Sequence, residues 1–271
     1  MLVMLAPSFD GSNDAYARLV RATGMLAYDL KSRLKAGVWG VVRALADLDQ
    51  AQELLDRLLA EGLPALLVPH EVAHDPNRRI VTIRALELRS DQLVLHLRER
   101  EMPIPFGALT CIVRGEVHTG HMPSRTVTPS SATFRAVSPS TSDVQMFRES
   151  VSSSNFNAYA AADLHFATVL WVARLDARNF DFSTLGLGSE SPASDLDQMV
   201  DGLAQRASIR VDRGVRASSV VSALQGGNFR GPRVSSHAPG SKESATDERF
   251  DPYSRVIGEA ERLLAQARKV A

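Results

Sequence analysis

The amino-acid sequence predicts an α+β protein. We expect a small β-α-α-β-α-β sandwich, then a mostly antiparallel β-barrel-like module with a closing helix, and finally a C-terminal helix. Residues 1–77 alternate short apolar runs with leucines at helical spacing. Residues 78–210 contain several short apolar runs separated by polar turns, which is typical of antiparallel strands. Residues 251–271 return to a helical spacing of apolar side chains.

Length and composition exclude several classes of protein. At 271 residues the chain is longer than one ordinary domain, so we expect two compact cores. Lysine plus arginine and aspartate plus glutamate both number 31, so no net charge steers the whole molecule towards nucleic acid or acidic lipid. No apolar run approaches the ~20 residues that cross a bilayer, and residues 1–6 lack the basic start of a signal peptide. We therefore expect a cytoplasmic protein without a membrane span.

Residues 1–77 are predicted to form the β-α-α-β-α-β sandwich. Short apolar runs predict strands over 2–6, 38–45 and 63–69. Three helices are predicted between these strands, each ended by a glycine. Their apolar stripes are Ala15, Leu19 and Ala22; Leu26, Leu30 and Leu34; and Leu48, Ala51, Leu55, Leu58 and Leu59. Asp47 and Gln50 have the spacing of a capping box at the start of the third helix. This order places helices on one face of a three-stranded sheet.

The order of these elements from Leu2 to Pro69, including the run from Asp47 to the stop at Gly62, carries a resemblance. It resembles the fold shared by the C-terminal domain of the ribosomal stalk protein and the Clp-protease adaptor for N-terminal degrons. The adaptor's acidic, asparagine-containing turn has no close counterpart in residues 6–10, so degron binding is not carried over. Both relatives bind proteins, and the resemblance therefore implies binding rather than catalysis.

Residues 78–210 are predicted to form the second module. Strands are expected over 80–88 and 93–97 as a hairpin, and apolar residues up to Val113 continue the meander until Gly115 breaks it. Residues 120–158 are rich in serine, threonine and proline, and predict a flexible insertion. A strand over 164–175 and a helix over 192–207 then complete the module.

The arrangement of residues 104–109 before the insertion, and of residues 174–182 before the closing helix, resembles a pleckstrin-homology-type barrel that the insertion opens. The whole chain also resembles a group of bacterial two-module proteins of unassigned function. Residues 211–250 are predicted to be a flexible basic and polar segment. The final helix has an apolar stripe at Val256, Ala260, Leu263 and Ala267. We expect this stripe to dock on its own chain or on a second copy in a homo-oligomer.

The string HEVAH at 70–74 matches the zincin pattern, in which two histidines four residues apart bind zinc and the glutamate between them activates water. Both imidazoles reach one metal ion only in an α-helix, because residues i and i+4 share a face there. The string lies between two prolines that leave about one and a half helical turns. A zinc-dependent hydrolase with His70 and His74 as ligands and Glu71 as base is therefore an alternative to a solvated turn between the modules, which we favour.

Cationic residues provide the other binding candidates. Residues 206–233 are arginine-rich, and the candidates there are Arg206, Arg210, Arg213 and Arg216. A basic segment can bind nucleic acid through phosphate contacts or an acidic protein surface, but aromatic residues are not interleaved here beyond Phe229. A nucleic-acid accessory function is thus a second alternative. Near the end of the second predicted helix lie Lys31, Arg33 and Lys35, which also suit the helix dipole.

Other residues that could carry chemistry have structural interpretations. Trp39 and Trp171 lie in predicted strands, so we assign them to core packing. His165 lies in an apolar run and is interpreted as a core histidine bonded to backbone. His118 and His121 could bind a metal ion, but a pair in a polar segment is more often solvated. The single cysteine, in an apolar run, is interpreted as a buried hydrophobe.

No set of side chains converges on a recognisable catalytic pattern, so we predict no catalytic residue and no cofactor. The first hypothesis is a non-enzymatic cytoplasmic interaction or regulatory protein with an unknown protein partner. Its serine- and threonine-rich insertion is a candidate for phosphorylation, and each phosphate would add about two negative charges.

Overall fold

The computed structural model describes residues 1–97, 100–119, 157–189, 191–214, 219–226 and 249–270. Within these ranges the chain is mixed α+β, as predicted. The strands are β1 (Leu2–Leu5), β2 (Gly40–Ala44), β3 (Ala65–Val68), β4 (Ile80–Ile83), β5 (Ala85–Leu88), β6 (Gln92–His96), β7 (Glu101–Pro105), β8 (Leu109–Thr119), β9 (Asn157–Phe166), β10 (Val172–Asp176) and β11 (Arg210–Asp212). The α-helices are α1 (Asn13–Thr23), α2 (Ala27–Arg33), α3 (Leu48–Ala60), α4 (Pro192–Ala207), α5 (Ser219–Gly226) and α6 (Phe250–Val270). Among the described helices, none combines the length and apolar character needed to span a membrane.

The N-terminal sandwich forms in the predicted order. β1 pairs antiparallel with both β2 and β3. One face of this sheet packs with α1, α2 and α3 around a core that includes Val3, Leu5, Leu19, Leu30, Leu54 and Leu58. The Ser12 hydroxyl caps α1 by accepting from the Ala15 amide at 3.1 Å. The Asp47 carboxylate caps α3 by accepting from the amides of Asp49 and Gln50, which confirms the predicted start of that helix.

The second module has two sheets around one core. A five-stranded sheet has the order β11-β8-β9-β10-β4, and a three-stranded antiparallel sheet has the order β5-β6-β7. Most strand pairs are antiparallel, as predicted, but β4 runs parallel to β10 and β11 runs parallel to β8. The predicted closing helix forms as α4, and its stripe of Leu196, Met199, Val200 and Leu203 is buried against this core.

Two strand boundaries in the first part of this module were predicted wrongly. The run at 80–88 is two strands, β4 and β5, that belong to different sheets. The chain turns at Arg84, whose amide bonds to the His96 carbonyl and whose carbonyl accepts from the Asp181 amide. Gly115 does not break β8, because it lies opposite Ala161 within a continuous antiparallel ladder with β9. Backbone pairing on a neighbouring strand outweighs the low strand propensity of one glycine.

Two later boundaries were also wrong. β9 begins at Asn157, inside the predicted insertion at 120–158, and residues 120–156 lie outside the described residues. The predicted strand at 164–175 is the end of β9, a bend, and β10. Trp171 therefore lies in the bend before β10 rather than within a strand, and it is only half-buried.

Part of the segment at 211–250, for which we predicted flexibility, lies in regular elements where the structure describes it. Val211 belongs to β11, which pairs with β8. In α5, Val220 is fully buried, and the Ser219 hydroxyl accepts from the Val41 amide in β2 at 2.8 Å. The Ser219 hydroxyl thus satisfies a backbone amide of β2, and Val220 packs in the same apolar cluster as Val41 of that strand. Residues 227–248 lie outside the described residues.

The C-terminal helix α6 joins the two modules. Its buried face fills a third apolar cluster together with β1 and β2 of the sandwich and β8 and β9 of the second module. Val256 and Ala260 of the predicted stripe are fully buried there, whereas Leu263 is half-buried and Ala267 is exposed. The stripe that we expected could bind a second copy is therefore occupied within the chain. Residues of both predicted modules, 1–77 and 78–210, therefore contribute to this core.

Candidate functional site

The HEVAH string forms a 3₁₀ helix, His70–His74, and not an α-helix. In a 3₁₀ helix, with three residues per turn, residues i and i+4 point about 120° apart. The ring centroids of His70 and His74 are 6.4 Å apart. Burial, with His74 as a second cause, lowers the pKa of His70. In the ranges that the structure describes, no three histidine, cysteine, aspartate or glutamate side chains lie close enough together to hold a metal ion.

The string serves instead as a docking point for α6. Val72 and Ala73 are buried, and Arg255 of α6 donates to the Ala73 carbonyl at 3.0 Å. Glu71, the base of the hydrolase alternative, is exposed. The zinc-hydrolase alternative thus lacks the helical geometry that its chemistry needs.

An ionic cluster, defined by the buried Asp163 and Arg174 and the half-buried Asp251, joins β9 and β10 to the first turn of α6. The Arg174 guanidinium donates two bonds of 2.7 Å to the Asp163 carboxylate and lies 2.8 Å from an oxygen of Asp251. It also lies 4.9 Å from the centroid of the Phe250 ring. Burial alone would lower the pKa of Arg174, but the two carboxylates outweigh burial and raise it. Arg174 therefore remains charged and holds β9, β10 and α6 together.

A second buried pair fixes the middle of α6. Arg78, in the loop before β4, donates to Glu259 at 2.6 Å, and both residues are buried. Arg262 donates to both oxygens of the same carboxylate. Burial works against ionisation of Glu259, but the hydrogen bond from Arg262 and the charge of Arg78 lower its pKa overall. The charged groups of Arg78, Glu259 and Arg262 hold α6 against the second module, and their hydrogen bonds to one another leave them unavailable to a substrate.

His165 and Ser254 have the pairing of a base and a nucleophile, since His165 Nε2 and Ser254 Oγ are 2.9 Å apart. Asp163 lies two residues before the histidine on β9. However, Ser254 is fully buried and only 5% of His165 is exposed, so no substrate reaches the pair. Burial, with smaller contributions from Arg78 and Arg174, lowers the pKa of His165 to about 4 although Asp163 acts in the opposite direction. The core assignment of His165 is confirmed, with a side-chain hydroxyl as the partner of its ring.

The buried histidine predicts a pH dependence of stability. Its folded-state pKa, about 4, lies below the ordinary value of 6.5, so the unfolded chain binds the extra proton between these values. The stability that the neutral, buried His165 contributes to the fold is therefore lost as the pH falls from 6.5 to 4. Between pH 7 and pH 5 this residue is expected to remove about 2 kcal/mol of unfolding free energy. Urea unfolding of the wild type and of His165→Gln at both pH values measures it, and equal pH dependence in the two proteins would contradict it.

The arginines at 206–216 do not converge on one surface. Arg206 is exposed. Arg210 bonds to the Gly37 carbonyl, and Arg213 pairs with Asp201 at 2.8 Å. Arg216, like His121, lies outside the described residues, and so does the His118 side chain. The described arginines therefore provide no basic stripe for a nucleic-acid backbone.

A different group of predicted cations lies on one short helix, α2, or directly after it, and we call this region the α2 surface. It is defined by Leu26, Tyr28, Lys31, Arg33 and Lys35, all of which are exposed. Leu26 and Tyr28 are exposed by 71% and 82%, more than the other large hydrophobic residues that protrude. Lys31 Nζ lies 3.0 Å from the Asn13 side-chain oxygen and 5.4 Å from the centroid of the Tyr16 ring.

The exposure of Leu26 corrects the prediction that it belongs to a buried stripe. α2 begins at Ala27, so Leu26 precedes the first turn and does not share the face of Leu30. Leu48 and Leu59 of α3, also assigned to a buried stripe, are exposed too. They lie roughly a quarter turn away from the buried side of α3. Tyr28 was missed as a functional candidate, although its position opposite Leu30 on the helix is a readable signal.

No protein-family model, curated protein or solved structure matched this chain. The resemblances of the two modules to known folds therefore stay predictions.

Proposed function

We propose that the protein is a non-enzymatic cytoplasmic interaction protein whose α2 surface binds an acidic surface of a partner protein. The observation that carries the proposal is the protrusion of Tyr28 and Leu26 beside three exposed cations, which outnumber the one exposed carboxylate of α2, Asp29. Tyrosine and arginine are enriched among the residues that dominate protein interfaces, and a large exposed side chain has apolar area to bury there. The cations select an acidic partner and speed its approach.

The α2 surface is held in place before any partner binds. Leu30 and Leu34 are buried beneath it, and the Tyr16 hydroxyl donates to the Leu34 carbonyl at 2.7 Å. The loop that follows is tied by a bond of 3.2 Å from the Gly37 amide to the Phe9 carbonyl. A surface that is already ordered loses little conformational entropy on binding, which favours affinity.

The exposed part of α3 offers a matched control. Leu48 and Leu59 are similarly exposed, but the polar residues beside them on the helix include Asp49 and Asp56. An acidic partner would be repelled there. The same kind of change on the two helices therefore separates loss of one binding surface from loss of exposed hydrophobic area in general.

The test uses the full-length protein immobilised for capture from native lysate. The α2 variant carries Leu26→Ser and Tyr28→Ser, and the α3 control carries Leu48→Ser and Leu59→Ser. A protein retained by the wild type and by the α3 control, but not by the α2 variant, is expected. With that protein purified, we expect about thirtyfold weaker binding by the α2 variant.

Salt supplies a second readout of the same proposal. Affinity for the purified partner is expected to fall with increasing ionic strength, and to fall less steeply for a Lys31→Gln, Lys35→Gln variant. Equal retention of every partner by the α2 variant, or binding that does not depend on salt, would overturn the proposal.

A further inference from the structure

A cavity of about 230 Å³ lies in the second module, away from the α2 surface. It is formed where β4 and β10 begin, beside the described residue that follows β6, Leu97, and the one that precedes β7, Arg100. Its lining residues are Asn77, Arg79, Val81, Leu97, Arg100 and Trp171. Typical sites for drug-sized ligands occupy about 300–1,000 Å³, so this cavity suits a ligand of roughly one ring and a small head group.

The walls of the cavity are fixed by backbone bonds and by the core. The Val172 amide donates to the Arg79 carbonyl at 2.8 Å, which sets Arg79 beside Trp171 across two parallel strands. On the other side of the cavity, the Leu97 amide donates to the Arg100 carbonyl at 2.9 Å, which fixes these two residues relative to each other. The Trp171 ring packs against the buried Phe166, with 5.7 Å between ring centroids. The indole is therefore anchored in the core while one side of it lines the cavity.

The polar and the apolar residues that line the cavity differ in their exposure to solvent. Arg79, Arg100 and Asn77 are exposed, whereas Val81, Leu97 and Trp171 are half-buried. Neither arginine forms an ion pair with any residue that the structure describes, and the described lining contains no carboxylate. Many other arginines have carboxylate partners, for example Arg114 with Asp197 at 2.9 Å. Two arginines without an ion-pair partner among the described residues therefore line the same cavity as an apolar wall.

We propose that this cavity binds a small organic anion in which a carboxylate or phosphate is carried on one apolar or aromatic ring. The planar guanidiniums of Arg79 and Arg100 each donate several N–H groups and suit the oxygens of such a head group. The ring of the ligand packs on Trp171 and Leu97, and burial of that surface supplies the apolar part of the affinity. The sequence alone assigns Trp171 to the core, and only its position in the bend before β10 brings it to the cavity.

Four probes separate the two parts of this recognition: phenyl phosphate, phenylacetate, inorganic phosphate and benzyl alcohol. Binding to the full-length protein is measured by calorimetry and by tryptophan fluorescence. Trp171 lines the cavity while Trp39 is 1% exposed, so a fluorescence change on binding reports Trp171. We expect at least one of the two ring-bearing anions to bind at least tenfold more tightly than inorganic phosphate and benzyl alcohol.

Variants of the exposed arginines test the site without threatening the fold. Arg79→Gln and Arg100→Gln are each expected to weaken binding of the ring-bearing anion by about ten- to hundredfold. Arg84→Gln is the matched control, because Arg84 follows the same strand, is also exposed and does not line the cavity. Its affinity is expected to match the wild type.

Several results would overturn the proposal. One is that neither ring-bearing anion binds at millimolar concentration. Another is that benzyl alcohol or inorganic phosphate binds as tightly as those anions, which would remove the role of the charge or of the ring. Equal losses in Arg84→Gln and in the two cavity variants would show that only the net charge of the protein matters.

Discussion

Arg174→Met is expected to lower the free energy of unfolding by about 3 to 5 kcal/mol, the range found when one partner of a buried ion pair is removed. The side chain of Arg174 is 4% exposed and that of Asp163 is not exposed at all. Without the guanidinium, the Asp163 carboxylate loses both bonds of 2.7 Å, and Asp251 loses its partner at 2.8 Å. Urea unfolding monitored by circular dichroism measures the change.

Two further variants show whether the loss of stability in Arg174→Met comes from the buried ion pair. Arg21→Met removes a pair with Glu61 that lies at the surface, so a much smaller loss is expected because water screens exposed charges. Adding Asp163→Leu to Arg174→Met removes the stranded carboxylate, and recovery of part of the lost stability is expected. A loss for Arg174→Met no larger than that for Arg21→Met would contradict a structural role for the ionic cluster.

Gly258→Ala is expected to destabilise the protein by about 3 kcal/mol, at the upper end of the usual penalty for overpacking. A Cβ atom at this position of α6 would lie less than 3.0 Å from three ring atoms of His165. That ring cannot turn aside, because it is buried and bonded to Ser254. The helix must therefore move away from β9.

Gly202→Ala in α4 is the control, since a Cβ atom there meets nothing within 4 Å. Alanine favours a helix over glycine by roughly 0.5–1 kcal/mol, so this change is expected to stabilise the protein. The two substitutions thus have opposite expected signs in urea unfolding. Equal effects would show that α6 does not approach His165 as closely as the structure places it.

Local patterns were sufficient to predict the N-terminal sandwich. The helices there are bounded by residues whose chemistry acts within a few positions, such as the caps Ser12 and Asp47 and the glycine Gly24. Strand boundaries in the second module were harder, because an apolar run such as 80–88 has the same pattern for one long strand as for two short ones. Only long-range pairing with β10 and β6 divides it at Arg84.

The ionic cluster could not be assembled from the sequence, because its three members come from β9, β10 and α6 and meet only in the folded chain. One signal was nevertheless present. Arg174 interrupts a nearly continuous apolar run, and a charge in such a run is seldom buried without a partner. For the α2 surface, the sequence identified the cations as binding candidates but did not identify the exposed apolar residues Leu26 and Tyr28.

The polar groups that most resemble catalytic machinery are those that bind α6 to the rest of the chain. His165 with Ser254 and Arg78 with Glu259 are buried where α6 contacts the second module, and the ionic cluster lies at the start of the same contact. Among the described residues, the large hydrophobic side chains that face solvent lie elsewhere, on the α2 surface, on α3 and at Leu170 beside Trp171. This division is what we expect if the two proposals above hold, with recognition at the surface and with buried polar groups that stabilise the fold.

The docking of α6 across both modules is tested most directly by the rate at which a thiol reagent such as dithiobis(nitrobenzoate) labels Cys111. This single cysteine is 1% exposed in the cluster that α6 covers, and burial raises the pKa of its thiol well above the ordinary value. Labelling in native buffer is expected to be as slow as global unfolding, and faster in Arg174→Met. Labelling of the native wild type as fast as that of the urea-unfolded chain would contradict a docked helix.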